Sequence, residues 1–484
     1  MVIGSLAAFA LFILISLFAP MESPLTTRWL LAAFGGVCLL PFLRWLSKRQ
    51  IDFFEIIYPI TISYFLYFVL SPRETMPETG MTFPWLTDIH LNRALFYTGL
   101  GFSMLLSGYY GPVGPNLARR LPRLRLSPRP AQLHQVIYLL YAIGLCLRLF
   151  LLAKGGHTWS TKYTELEFGT VIPGPWENVV GYLGNFSLFA VTMATAAFFS
   201  EGRTKTLTFL LWGIMLPSET LWVFLQGSKS HFIPILAAPF IAYNYLRKRV
   251  SVGHLVLPAL FMAFIVFPAV SEYRVWAHEY PIQLTTIPQA LPQIAVRLTG
   301  ELLNPESEAH LSGGAEMVIQ RATGLLPFAN VIQYTEDNGF LHGETLWQFI
   351  LIIIPEIIFP KKPTFLISSG DLYSQDIYGL SESTSGIALM QAGEFYLNYG
   401  TAGIIIGMFL QGILYRVWQI YWVGFGTPLS IALFILGWRI LTLIELPFSF
   451  AFGELLREIL LMIPLLWLLA RSQSAGSKPV LKGP

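Results

Sequence analysis

Runs of about eighteen or more apolar residues recur along this chain, beginning with MVIGSLAAFALFILISLF at its start. A run of that length is what a helix needs to cross the hydrocarbon core of a bilayer. In lipid, every backbone N–H and C=O must find its partner within the segment, so such runs can only be helices. Only 12% of the residues are charged and 54% are hydrophobic, whereas a soluble domain carries about 25% charge. The runs also lack the regular polar faces that the elements of a large soluble core would show. The sequence therefore predicts an all-α polytopic integral membrane protein. The first run has no basic n-region and no small-x-small cleavage site, so it reads as a retained span rather than a signal peptide. Cys38 and Cys146 fall inside apolar runs and argue for neither a disulfide framework nor a metal site.

The pattern places about twelve transmembrane helices, at 2–19, 27–46, 52–70, 92–110, 133–153, 178–199, 206–225, 231–246, 253–270, 400–415, 428–446 and 455–470. The connections after the even-numbered spans, with the tail, hold Arg44, Lys48 and Arg49; Arg119, Arg120, Arg123, Arg125 and Arg129; Arg203 and Lys205; Arg247, Lys248 and Arg249; Arg416; and Arg471, Lys478 and Lys482. Seventeen of the 31 Lys and Arg thus fall in short loops on one side. Positive charge marks the cytoplasmic side, which puts both termini inside. The arginines of GPVGPNLARRLPRLRLSPRP need no nucleic acid to explain them, since juxtamembrane position suffices. LWQFILIIIPEIIF, at 346–359, is apolar but short and carries Pro355 and Glu356. It reads as a re-entrant or interfacial helix. Three regions follow: a nine-helix portion at 1–270, a large extracytoplasmic loop region at 271–399, and a three-helix portion with a cytoplasmic tail at 400–484.

The outer region concentrates the chemistry. Arg274, Arg297 and Arg321 stand among many carboxylates. Each has two readings: a salt-bridge partner on a solvated face, or a bidentate contact to phosphate, for which the planar guanidinium is suited. Pro360 and Pro363 bracket Lys361 and Lys362 as a stiff cationic elbow, or the lysines simply snorkel to headgroups. Asp371, Asp376, Glu382 and Glu394 follow in a segment rich in Ser, Thr, Tyr and Gly. His310 and His342 are the notable outer histidines. Arg148, Arg439, Glu445, Glu454 and Arg457 fall within or at the ends of spans, where a lone charge costs on the order of 2.5–3.5 kcal/mol. Arg439 and Glu445 are six apart, so each needs a partner elsewhere, and such charges mark a functional site or an interhelical ion pair. There is no Walker A motif, GxGxxG turn, HExxH, Cys/His cluster or GxSxG elbow. Nothing calls for a nucleotide, a metal or any other cofactor.

IQRATGLLPFANVI, FLHGETLWQFILIIIPEIIFPKKPTF and GEFYLNYGTAGIIIGMFLQGILYR together resemble the C-terminal half of bacterial oligosaccharide-repeat-unit polymerases, the Wzy or O-antigen polymerase family. The matching positions are Arg321; Gly343 and Thr345; Pro360, Lys362 and Pro363; and Gly393, Glu394, Tyr396, Asn398, Tyr399 and Gly400, with Arg274 in SEYR also fitting. The resemblance covers roughly 265–420. Where the family often reads IPR this chain reads IPE, with Glu356, so the cation expected there is lost.

The resemblance implies a GT-C-like, inverting transfer of a growing glycan from undecaprenyl diphosphate to a lipid-linked repeat unit, at the outer (periplasmic) face of the bacterial inner membrane. A chain-length regulator and a flippase are the implied partners. Such chemistry asks for fixed cations at the departing diphosphate: Arg274 and Arg321 first, then Arg297, Arg439, Lys361 and Lys362. It also asks for a group to take the acceptor proton: Glu394, or else Asp371, Asp376 or His310. Glu394 has a second reading as a helix cap. Tyr396, Asn398 and Tyr399 line the sugar path or anchor the interface. The competing expectations are an O-antigen-ligase-like enzyme, a GT-C transferase using a polyprenyl-monophosphate sugar, and a lipid-linked-oligosaccharide flippase or other transporter. No inverted repeat supports the last.

Overall fold

The computed structural model describes residues 1–48, 51–71, 88–122, 129–154, 175–200, 203–279, 324–354 and 389–474, with a few positions between 288 and 300 and at 358, 359 and 377. Every regular element among them is helical. The chain runs through α1 (Val2–Phe18), α2 (Pro24–Lys48), α3 (Ile57–Phe65), α4 (Asp88–Tyr110), α5 (Val113–Arg120) and α6 (Pro130–Ala153). Next come α7 (Pro175–Gly184), α8 (Phe186–Phe198), α9 (Lys205–Leu210), α10 (Leu216–Leu225), α11 (Lys229–Leu246), α12 (Val252–Phe261) and α13 (Phe267–Glu279). The last set is α14 (Leu325–Asn338), α15 (Phe349–Ile353), α16 (Gln391–Val423), α17 (Pro428–Leu441) and α18 (Phe448–Ser474). Single π turns extend α3 (Leu66–Leu70), join α9 to α10 (Leu211–Met215) and join α12 to α13 (Met262–Val266).

Among the described residues, six helical stretches are long and apolar enough to cross a membrane: 24–44, 130–153, 179–198, 205–225, 252–274 and 391–423. Four shorter apolar helices accompany them, Val2–Phe18, Ile57–Leu70, His231–Leu246 and Pro428–Leu441. The segment 346–359 contains a helical run of only eight residues, Leu346–Ile353, before the backbone turns extended at Ile354. Its rise of about 12 Å falls well short of the roughly 30 Å hydrocarbon core.

The tightest crossing is between α4 and α16. A Cβ on Gly108 would sit 2.1 Å from the Phe409 carbonyl oxygen, and one on Gly412 equally close to that of Leu105. These glycines let the two backbones touch, which is how helices gain packing where lipid offers no hydrophobic drive. Around this crossing Phe34, Tyr64, Phe68 and Phe102 interlock, with ring centroids 4.8–6.3 Å apart, and all are fully buried.

The cationic loops meet at one end of the bundle. Glu55 accepts from Arg416 Nη1 (2.6 Å), the Tyr109 hydroxyl (3.0 Å) and Arg44 Nη1 (3.3 Å). The Tyr421 hydroxyl donates to the Pro122 carbonyl, and Arg247 to that of Ser200. Asn244 binds Asp52, and Gln419 bonds both the Ile56 N–H and Tyr245. At the opposite end Asn92 ties the α1–α2 turn to α4 through the Met21 carbonyl and the Thr27 hydroxyl. There His90 and Arg93 of α4 also meet Glu336 of α14.

Candidate functional site

GEFYLNYG does not close a loop, as expected, but forms a half-helix. Gln391–Asn398 is helical and buried, the backbone breaks at Tyr399 and Gly400 (φ 58°), and the chain doubles back along 401–423. Phe395 lies against Gly403 and Gly407, where its carbonyl and ring leave no room for a Cβ. Gln391 reaches Gln411 and Tyr415, about half-way along the longer arm. The positive φ at the bend and the Phe340 ring, 2.8 Å from where a Cβ would stand, require glycine at position 400.

The two motif segments of the sequence clasp each other. Asn398 Nδ2 donates to the Thr345 hydroxyl (2.6 Å) and to the Glu394 carbonyl (2.8 Å), while its Oδ1 accepts the Gly343 N–H (2.9 Å). The N–H groups of Leu341 and His342 donate to the carbonyls of Leu397 and Asn398, which the half-helix leaves unpaired at its end. Tyr399, half exposed, donates to the His342 carbonyl. Tyr396 is buried in an aromatic cage of Tyr97, Phe328 and Phe340.

Glu394 is completely buried. Its carboxylate accepts the Ser449 N–H at 2.9 Å and the Ser449 hydroxyl. Ser449 is the second residue of α18, so Glu394 caps that helix, where backbone N–H groups and the helix dipole favour negative charge.

The helix that Glu394 caps carries Glu454, Arg457 and Glu458 to a charged cavity of about 230 Å³ bordered by α6, α7, α8, α10, α11, α17 and α18. Arg148, Glu219, Gln226, His231, Arg439 and Glu454 line it, and Arg457 and Glu458 stand just behind. Arg148 Nη1 donates to Glu219 at 2.5 Å and lies over the Trp222 ring. Arg439 pairs with Glu458, and Arg457 pairs with Glu454 while its guanidinium covers the Tyr182 ring. Among the described residues, Arg439 Nε, Arg457 Nε, Glu219 Oε2 and Glu458 Oε2 are buried without a hydrogen-bond partner. Buried polar atoms are normally satisfied, so four orphans around one cavity mark a place suited to a polar or anionic ligand. Arg148 and Arg439 sit near the ends of helices that begin at the cationic loops, so the cavity lies toward the opposite end of the bundle. Nearby, Arg274 donates from Nε to the Gly227 carbonyl at 2.6 Å, next to Gln226.

Of the residues singled out from sequence, Arg148, Arg439 and Glu454 line this cavity, and Arg274 bonds the Gly227 carbonyl, one residue from Gln226. Arg297 pairs instead with Glu272 at 3.7 Å. Glu394, Tyr396, Asn398 and Tyr399 form the clasp. His310, Arg321, Lys361, Lys362, Asp371 and Asp376 lie outside the described residues. Sequence reasoning noted Arg148 and Arg457 as charges within or at the ends of spans but missed Glu219, His231 and Glu458. The available signal was that each intramembrane arginine demands a carboxylate on another helix.

The family model described as Domain of unknown function (DUF8712) matches residues 170–422, more than half of the chain. The chain belongs to this family. The matched stretch contains the half-helix, its clasp and the α7, α10 and α11 walls of the cavity, while Arg148, Arg439 and Arg457 come from outside it. No curated protein and no solved structure matches the chain.

Proposed function

We propose that the chain is a membrane glycosyltransferase, a polysaccharide polymerase that moves a growing glycan from undecaprenyl diphosphate to a lipid-linked repeat unit. The observation that carries this reading is the cavity. Arg148 and Arg439 line it, Arg457 stands just behind, Arg274 bonds the neighbouring Gly227 carbonyl, and two guanidinium Nε atoms are left without partners. As a glycosidic bond breaks, charge builds on the departing diphosphate, and preorganised cations in a water-poor site are the main lever for stabilising it. The motif resemblance over 265–420 supports the same chemistry. In this reading about twelve helices span the inner membrane, the cationic end and both termini are cytoplasmic, and the cavity opens on the periplasmic side. Glu394 is then a positioning residue that sets α18, while Glu219, His231 and Glu454 are the groups at the cavity able to accept a proton.

The test is extension of a lipid-diphosphate oligosaccharide by the purified protein in liposomes, beside the glycan made by a deletion strain. Single-unit glycans in that strain and loss of extension in Arg439→Ala are the expected outcomes. Full extension by Arg148→Ala and Arg439→Ala proteins would reject the cavity as the site. Accumulated unligated polymer identifies a ligase instead. A transport reading draws on the broken helix at Tyr399–Gly400, a device of transporters. Repeat units trapped on the cytoplasmic side would favour it.

A further inference from the structure

A second, larger space lies outside this site. A groove of about 1090 Å³ runs between α9–α10, α11 and α12, walled by Trp212, Phe224, Leu236 and Phe240. One end approaches the charged cavity, with Ile235 lining both. The other end is closed by Lys248, Arg249, Ser251 and His254, among the cationic loops. No residue of α12 is buried, so that helix stands off the bundle and the groove opens sideways. Trp212 projects from a π turn, a local widening that often marks functional positions.

The two ends of the groove are chemically unlike, and that difference identifies the occupant. A purely hydrocarbon chain would explain the aromatic walls but not the cationic end. Asp52 feels the charge of Arg249 across some distance, but its hydrogen bonds go to Asn244 and Tyr245 rather than to that guanidinium. Arg247 is turned away to the Ser200 carbonyl, leaving Lys248 and Arg249 exposed at the end of the groove. A basic pocket between helices at membrane-surface height recruits anionic headgroups. Anionic charge at one end with apolar chains along the walls is the chemistry of a phospholipid. We propose that this groove binds an anionic glycerophospholipid from the leaflet on the cationic side, with headgroup phosphate at Lys248 and Arg249 and an acyl chain along Leu236 and Trp212. The lipid would then fill the space between α12 and the bundle, and so steady the helix whose continuation carries Arg274.

The experiment compares phosphatidylglycerol with phosphatidylcholine of the same acyl chains, added to full-length protein in detergent. Native mass spectrometry and thermal unfolding are the readouts. Retention of phosphatidylglycerol with a raised Tm, and neither effect from phosphatidylcholine, is expected. Lys248→Gln and Arg249→Gln should each weaken retention about fivefold, and Leu236→Trp should block the groove to acyl chains. Equal binding of the two lipids by the unaltered protein would overturn the proposal without recourse to any variant. So would unchanged selectivity in the Lys248→Gln, Arg249→Gln double variant. A Tm rise from glycerol phosphate alone as large as that from phosphatidylglycerol would point to a soluble anion and reject the lipid.

Discussion

Two clusters of buried charge, built from the same residue types, behave differently. At the cationic end Glu55 has both oxygens engaged, by Arg44 and Arg416 and by the Tyr109 hydroxyl. At the other end three arginines and three carboxylates pair one to one around a cavity, yet four of their polar atoms stay unpartnered. A closed network holds helices together and has nothing left to offer. An open one carries the desolvation cost of its charges without full compensation.

This contrast is easiest to break at Glu55. Replacing it with alanine strands two guanidiniums, and a loss of about 3–5 kcal/mol in unfolding free energy is expected, read from denaturation in detergent. Arg439→Gln should act the other way round, with a modest stability change but a fall of about 10²–10³ in glycan extension. If extension falls only in proportion to folded protein, the cavity is structural like the Glu55 network. Gly400→Ala probes the clasp between them. A left-handed φ and a ring in the way of the new methyl predict about 1–3 kcal/mol of destabilisation, measured by thermal unfolding. Glu394→Gln should produce the smallest effect. It keeps an acceptor for Ser449 but loses the charge at the helix start, so about 1 kcal/mol of stability is at stake. Extension should stay within a few-fold of the unaltered protein; a drop beyond 100-fold would make Glu394 the base.

Much of the fold was legible in the sequence because lipid leaves so few options. The apolar runs could only be helices, and the loop arginines could be assigned to one side before any contact was known. The structure gathers the connections after α2, α4, α8, α11 and α16 at a single end. GEFYLNYG was legible only in part, for a physical reason. Its polar residues resemble a helix mouth, whereas they are buried by partners remote in sequence: Thr345 for Asn398 and Ser449 for Glu394. Glu219 escaped notice because it is a single carboxylate in an apolar run, and its partner Arg148 lies 71 residues away. Local pattern reports burial and period, but not which distant group satisfies a charge.

The half-helix also constrains how the protein is made. Eight residues cannot hold themselves in hydrocarbon, so Gln391–Asn398 has no stable place until the longer arm of α16 has emerged behind it. Glu394 must wait longer still, for Ser449 lies 55 residues downstream. The interior of this region is therefore completed only when α18 is synthesised. A chain cut short before α18 would leave a carboxylate buried with no helix start to hold it.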